Sequence, residues 1–66
     1  MTIKEIQDRI EKIRALDDDD ERQHRVESYL HRDVLRAIAD GTCEDPAACA
    51  REAMKTWDLP FERWYA

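Results

Sequence analysis

The chain has 66 residues, of which 41% are charged and 42% apolar, and its formal net charge is −5. This balance is typical of one small folded domain, here residues 1–66, and it excludes a disordered tail. The net acidity argues against direct nucleic-acid binding, because phosphate backbones select clustered lysine and arginine.

The first helix is predicted from Thr2 to Leu16. Thr2 and Glu5 form a T-x-x-E capping box, which marks a helix start. Behind it runs a narrow apolar seam of four isoleucines, Ile3, Ile6, Ile10 and Ile13. A seam this narrow can contact only one neighbouring helix. Its two heptads are also short for a free-standing coiled coil. We therefore expect packing against the next helix of the same chain, with a homodimer through the same isoleucines as the alternative.

An acidic run, residues 17–21, separates this helix from the next. Like charges resist a continuous helix, and aspartate is a preferred N-cap, so the run predicts a connection and a cap. Asp18 and Glu21 repeat the capping-box spacing. Cation binding and mimicry of DNA are alternatives, but the run lacks the ligand spacing of an EF-hand loop.

The second helix is predicted from Asp19 to Asp40, ending at Gly41, the residue expected where a backbone turns left-handed. Its apolar arc consists of Val26, Leu30, Val34, Ala37 and Ile38. Glu27 lies inside this arc, with His24 and His31 at its edge. We expect Glu27 to accept a hydrogen bond from His31 or from an arginine.

Metal binding by His24, Glu27 and His31 is the alternative for this face, possibly across a dimer. The two histidines are separated by two turns, about 10 Å at ~1.5 Å per residue, which is too far for both to share one ion easily. The pattern is therefore unlike the H-E-x-x-H motif of zinc proteases.

The third helix is predicted from Pro46 to Thr56, because Asp45 is an N-cap acceptor and proline suits the first helical position. Its expected inner face is Ala50, Ala53, Met54 and Trp57, with Ala47 at the margin. Cys43 and Cys49 have neither zinc nor thioredoxin spacing. We interpret Cys49 as a small buried apolar residue, with a disulfide or a zinc site as alternatives.

A short aromatic turn closes the chain and contains Trp57, Phe61, Trp64 and Tyr65. Packed inward, these rings would complete a small core. Packed outward, they would form a partner-binding surface, since aromatic residues dominate interface hot spots.

The segments DDDERQH, LHRDVLRAIADG and AREAMKTWDLPFERWYA carry a family resemblance. Residues 17–66 resemble a group of small uncharacterised helical proteins of actinobacteria, other bacteria and their phages, with a terminal Phe-x-Arg-Trp signature. The resemblance implies a compact cytosolic helical protein of phage or prophage origin. It implies no activity, so no functional residue is transferred.

The sequence thus predicts an all-α, three-helix domain: an antiparallel helical hairpin, a third helix packed across it and an aromatic C-terminal turn. Neither a catalytic constellation nor a phosphate-binding loop is present, so we expect a non-enzyme without a cofactor. The charged start is unlike a secretory signal, and no stretch suits a membrane span. We expect a cytoplasmic, acidic protein-interaction module, a phage or prophage accessory factor that binds a host or phage protein.

Overall fold

The computed structural model describes residues 1–63, which form three α-helices and a final 3-10 turn. The helices are α1 (Ile3–Arg14), α2 (Asp20–Asp40) and α3 (Pro46–Met54), and the 3-10 turn is Lys55–Asp58. No β-strand occurs among these residues. The predicted all-α, three-helix fold is confirmed, and the predicted helix bounds differ from the observed ones by two residues or fewer. Trp64 and Tyr65 lie outside the described residues.

Each helix begins after a residue whose side-chain oxygen accepts a backbone N–H: Thr2 for α1, Asp19 for α2 and Asp45 for α3. The first and third caps are as predicted. For α2 the capping box at Asp18 and Glu21 is wrong by one position. The Asp19 N–H still bonds to the carbonyl oxygen of Leu16, at 3.0 Å, so the connecting turn includes Asp18 and the helix starts after it.

α1 and α2 form the predicted antiparallel hairpin. Gln23, near the start of α2, donates to the carbonyl oxygen of Ile13 near the end of α1, at 3.1 Å. Farther along α2, Asp33 pairs with Arg9 of α1 at 2.9 Å. The contacts move backward along α1 as they move forward along α2, which defines the antiparallel arrangement. Gly41 ends α2 with a φ of 72°, the left-handed value that favours glycine.

The core is formed by the inner faces of the three helices and by the segment that follows them. Its buried members are Ile6, Ile10, Ile13, Leu30, Val34, Cys49, Ala53, Leu59 and Phe61. The isoleucine seam of α1 therefore packs inside a single chain. A homodimer through the same isoleucines would require Ile6 and Ile13, both fully buried, to leave the core.

The inner face of α3 differs from the predicted one. Cys49, Ala53 and Thr56 are buried, whereas Met54 and Trp57, which were expected to be internal, are exposed. The buried residues follow helical spacing, but one of them is polar. Thr56 is accommodated because its hydroxyl lies 3.1 Å from the carbonyl oxygen of Ala53, to which it donates. Ala53 is buried as predicted, so the pattern of apolar residues identified part of the inner face of α3 and misassigned only Met54 and Trp57.

Although α2 contains 21 residues, it is heavily charged. None of the helices within residues 1–63 combines the length and the apolar character needed to cross a bilayer.

Candidate protein-interaction groove

An apolar groove lies between α2 and α3 and has a volume of about 260 Å³. It is lined by His31, Val34, Leu35 and Ile38 of α2, by Ala50, Ala53 and Met54 of α3, and by Trp57 of the 3-10 turn. We call it the α2–α3 groove. Because two of the α3 residues are alanines, the space between the helices stays open instead of being filled by side chains.

Large apolar side chains remain accessible in this groove. Leu35 is 68% exposed, Met54 51% and Trp57 56%. Tyr29 is the other large hydrophobic residue exposed among residues 1–63, and it lies outside the groove. Three of four such side chains are thus gathered in one concave surface, and contiguous exposed apolar surface of this kind marks interaction sites.

His31 lies at one end of the groove and connects α2 to α3 and the 3-10 turn by hydrogen bonds. Its Nε2 lies 2.9 Å from Oγ1 of Thr56 and 3.2 Å from the carbonyl oxygen of Ala53. A carbonyl oxygen can only accept, so Nε2 carries a hydrogen and donates it. The imidazole also meets the Trp57 ring edge-on, with 5.5 Å between centroids and 78° between planes. One part of the Trp57 ring therefore packs against His31, and the rest is exposed.

Beneath this end of the groove, Glu27 forms a buried ion pair with Arg63. Nε of Arg63 lies 3.0 Å from Oε1 of Glu27, and the terminal nitrogen Nη2 lies 3.0 Å from Oε2. Glu27 is only 3% exposed. The prediction that Glu27 is hydrogen-bonded by a histidine or an arginine is confirmed, and the partner is an arginine 36 residues away.

The pKa of the Glu27 carboxyl reflects two opposing influences. Burial raises this pKa, but the hydrogen bonds and the positive charge of Arg63 outweigh the burial. The pKa therefore lies below its ordinary value of 4.5, and the carboxylate is charged at neutral pH.

Arg63 also fastens the last described residues to the helices. Its guanidinium donates to the carbonyl oxygens of Thr56, Leu59 and Phe61. It stacks on the Phe61 ring, 3.9 Å from the centroid. Sequence reasoning assigned Arg63 no role. The sequence did contain a signal for this role. Glu27 is a carboxylate on an apolar helix face and needs a cation, and Arg63 is the one basic residue in the segment after Lys55.

The four aromatic residues predicted to bind a partner do not share one environment. Trp57 is exposed in the groove, as a contact residue must be. Phe61 is 8% exposed and belongs to the core, so its assignment to a binding surface was wrong. The segment needs a large apolar side chain there to close the open end of the hairpin. Trp64 and Tyr65, the other two, lie outside the described residues.

His24, Glu27 and His31, the residues considered for metal binding, are not gathered into one ligand cluster in the described part of the chain. Within residues 1–63, no group of three or more histidine, cysteine, aspartate or glutamate side chains is placed to hold a metal ion. The Glu27 carboxylate is ion-paired with Arg63, and Nε2 of His31 donates to the carbonyl oxygen of Ala53. His24 is half-buried on the same helix.

Both cysteines are free thiols. Cys49 is fully buried in the core, as predicted for a small apolar residue. Cys43 is half-buried, and burial raises the pKa of its thiol, which the neighbouring Cys49 raises further. The thiolate, the reactive form of cysteine, is therefore disfavoured at neutral pH.

A second cleft, of about 290 Å³, lies between the end of α1 and residues 59–61. The large apolar side chains that line it, Leu59 and Phe61, are themselves buried in the core. It therefore offers a partner no exposed large apolar group, in contrast to the α2–α3 groove.

Comparison of the chain with protein-family models, with curated proteins and with solved structures gave no match. The resemblance described for residues 17–66 stays a prediction, and the case for function depends on the geometry of the groove.

Proposed function

We propose that this chain is a small, non-enzymatic protein-interaction module that binds a protein partner in the α2–α3 groove. The observation that carries the proposal is the gathering of Leu35, Met54 and Trp57, all more than half exposed, in one concave surface. In a 66-residue chain with little apolar surface to spare, leaving three such side chains in water is unfavourable unless a partner covers them.

The arrangement of the groove also suits binding. Tryptophan is among the residues most enriched at interface hot spots. Trp57 is held by His31, whose own hydrogen bonds lead back to Thr56 and Ala53. This contact restricts the rotamers of Trp57, which reduces the side-chain entropy that is lost when a partner docks.

The proposal extends to a cytoplasmic location and to an accessory or regulatory role in a phage or prophage. Both cysteines are free thiols, which is typical of a reducing compartment. The resemblance of residues 17–66 supports the phage or prophage setting.

A comparative capture experiment tests the binding site. The whole chain would be immobilised as wild type, as the groove variant Leu35→Ala/Met54→Ala, and as the control Tyr29→Ala, which alters an exposed aromatic residue outside the groove. Proteins retained from the native host would be identified by mass spectrometry, and each candidate would then be titrated calorimetrically against all three purified chains.

We expect at least one partner that binds the wild type and Tyr29→Ala equally and binds the groove variant at least tenfold more weakly, about 1.4 kcal/mol or more. Far-ultraviolet circular dichroism would check that all three chains are equally helical. Partners that bind all three chains alike would refute the groove as the binding site.

A further inference from the structure

Cys43 and Cys49 are a pair of thiols that the proposed function does not use. We infer that these two thiols together bind a soft monovalent metal ion, copper(I), between the loop that follows α2 and the helix α3. Neither cysteine is among the residues that line the α2–α3 groove, so the inference is independent of the proposed function.

One backbone oxygen brings the surroundings of the two cysteines together. The carbonyl oxygen of Met1 accepts the N–H of Glu44, the residue directly after Cys43, at 3.1 Å. The Cys49 thiol donates to the same oxygen, with Sγ at 3.8 Å. Cys43 also packs against the core cluster that contains Cys49. The loop after α2 therefore places one cysteine beside the other.

The electrostatics of Cys43 agree with this placement. Burial raises the pKa of the Cys43 thiol, and Cys49 raises it further. A neighbouring group changes a pKa in this way only at short range, within about 4 to 6 Å. The two thiols are thus close enough to act on one another.

The ligand set selects the class of metal ion. Thiolates are soft ligands, which favour copper(I) over hard ions such as magnesium and calcium. Structural zinc almost always takes four protein ligands, and within residues 1–63 no third histidine, cysteine, aspartate or glutamate is gathered with this pair. Residues 64–66 include none of these residue types. Copper(I) forms stable complexes with only two thiolate ligands, so the pair suits copper(I) and leaves zinc short of ligands.

The environment of the pair suits a copper(I) ion. Cys49 is fully buried, whereas Cys43 is half-buried, so an incoming ion can meet Cys43 first and then reach Cys49. The apolar side chains of Met1 and Ile38 pack against the same core, which limits the access of water. A reducing compartment, in which free thiols are typical, also keeps copper in the monovalent state.

Binding exchanges protons for the metal and changes no oxidation state. The S–H bonds of Cys43 and Cys49 break, two S–Cu bonds form, and two protons pass to the buffer. The two thiolates and one copper(I) ion leave a single negative charge at the site. No oxidant, reductant or further reactant is needed.

A copper(I) competition titration tests this inference on the whole chain. Copper(I) would be offered under argon as its complex with a chromogenic chelator, and native mass spectrometry would count the copper ions held by each chain. The wild type would be compared with Cys43→Ser and with Cys43→Ser/Ser28→Cys, which restores two thiols but places one on the exposed surface of α2. Zinc would be titrated in parallel, and far-ultraviolet circular dichroism would check that all three chains are equally helical.

We expect the wild type to bind one copper(I) ion per chain. Both variants should bind copper(I) about a hundredfold more weakly or worse, because two thiols fixed side by side act at a high effective concentration. One equivalent of copper(I) should also raise the melting temperature of the wild type and not that of either variant.

Four results would overturn the inference: no copper(I) bound by the wild type, copper(I) held only as a bridge between two chains, equal affinity in Cys43→Ser/Ser28→Cys, or zinc bound as tightly as copper(I). None of these results affects the proposed function, which the groove variant tests separately.

Discussion

Removing the Arg63 side chain should destabilise the domain strongly, although Arg63 lies after the last helix of the fold. Arg63→Ala leaves the Glu27 carboxylate, 3% exposed, without its cation. Breaking a buried ion pair by deleting one partner costs about 3 to 5 kcal/mol. Because the arginine side chain is itself 27% exposed, we expect the lower end, about 3 kcal/mol.

A loss of this size matters because domains shorter than about 70 residues have only a few kcal/mol of stability. Urea denaturation followed by far-ultraviolet circular dichroism should show a large fall in the midpoint for Arg63→Ala, with a population already unfolded without urea. Arg36→Ala is the matched control, since it removes an exposed arginine, and surface changes usually alter stability by about 0.5 kcal/mol or less.

A double variant separates a lost ion pair from lost packing. Glu27→Leu/Arg63→Met replaces the buried charges with apolar groups of similar size, a change that is often neutral or stabilising. We expect it to be clearly more stable than Arg63→Ala. The reasoning is refuted if Arg63→Ala lowers the free energy of unfolding by less than about 1 kcal/mol, or if the double variant is no more stable than the single one.

Three further predictions concern pH, a turn and the core. The pKa values of Glu27 and Asp33 lie below their ordinary values of 4.5 and 3.8, so the unfolded chain binds protons first as the pH falls. The urea midpoint should therefore decline from about pH 5 to about pH 2, and less steeply in Glu27→Leu/Arg63→Met; a flat profile would contradict the ion-pair assignment. Gly41→Ala should cost about 1 kcal/mol because the φ of 72° is unfavourable for alanine. No more distant part of the chain lies within 4 Å of the added methyl group, so no steric clash adds to this cost. An unchanged melting temperature would argue against the left-handed turn. Phe61→Ala should lower the free energy of unfolding by about 3 kcal/mol or more, because it removes a large side chain from the core. If its melting temperature equals that of Trp57→Ala, which alters an exposed residue, Phe61 is not part of the core.

The helices could be predicted because the determining interactions are local. The Thr2 and Asp45 caps and the Gly41 terminus each act within about one turn. The isoleucine spacing of α1 likewise reports a single buried face. The antiparallel hairpin follows from these signals, since a short connection brings two amphipathic helices back against each other.

The candidate site was less accessible to sequence reasoning because it depends on distant pairs and on polar groups in apolar positions. Arg63 and Glu27 are 36 positions apart, and no periodic pattern links them. Thr56 occupies a core position that an apolar residue would normally mark, so Met54 and Trp57 were assigned to the interior. Both are exposed, and the groove exists because the end of α3 presents Met54 to solvent and the 3-10 turn presents Trp57.

The long separation between Glu27 and Arg63 has a consequence for folding kinetics. Contacts within one helix close short loops, whereas the Glu27–Arg63 ion pair closes a loop of 36 residues at a larger entropic cost, so we expect it to form late in folding. Interactions absent from the transition state slow unfolding without speeding folding. Arg63 also bonds to the carbonyl oxygen of Thr56, next to Trp57, so we expect loss of this ion pair to shorten the lifetime of the α2–α3 groove.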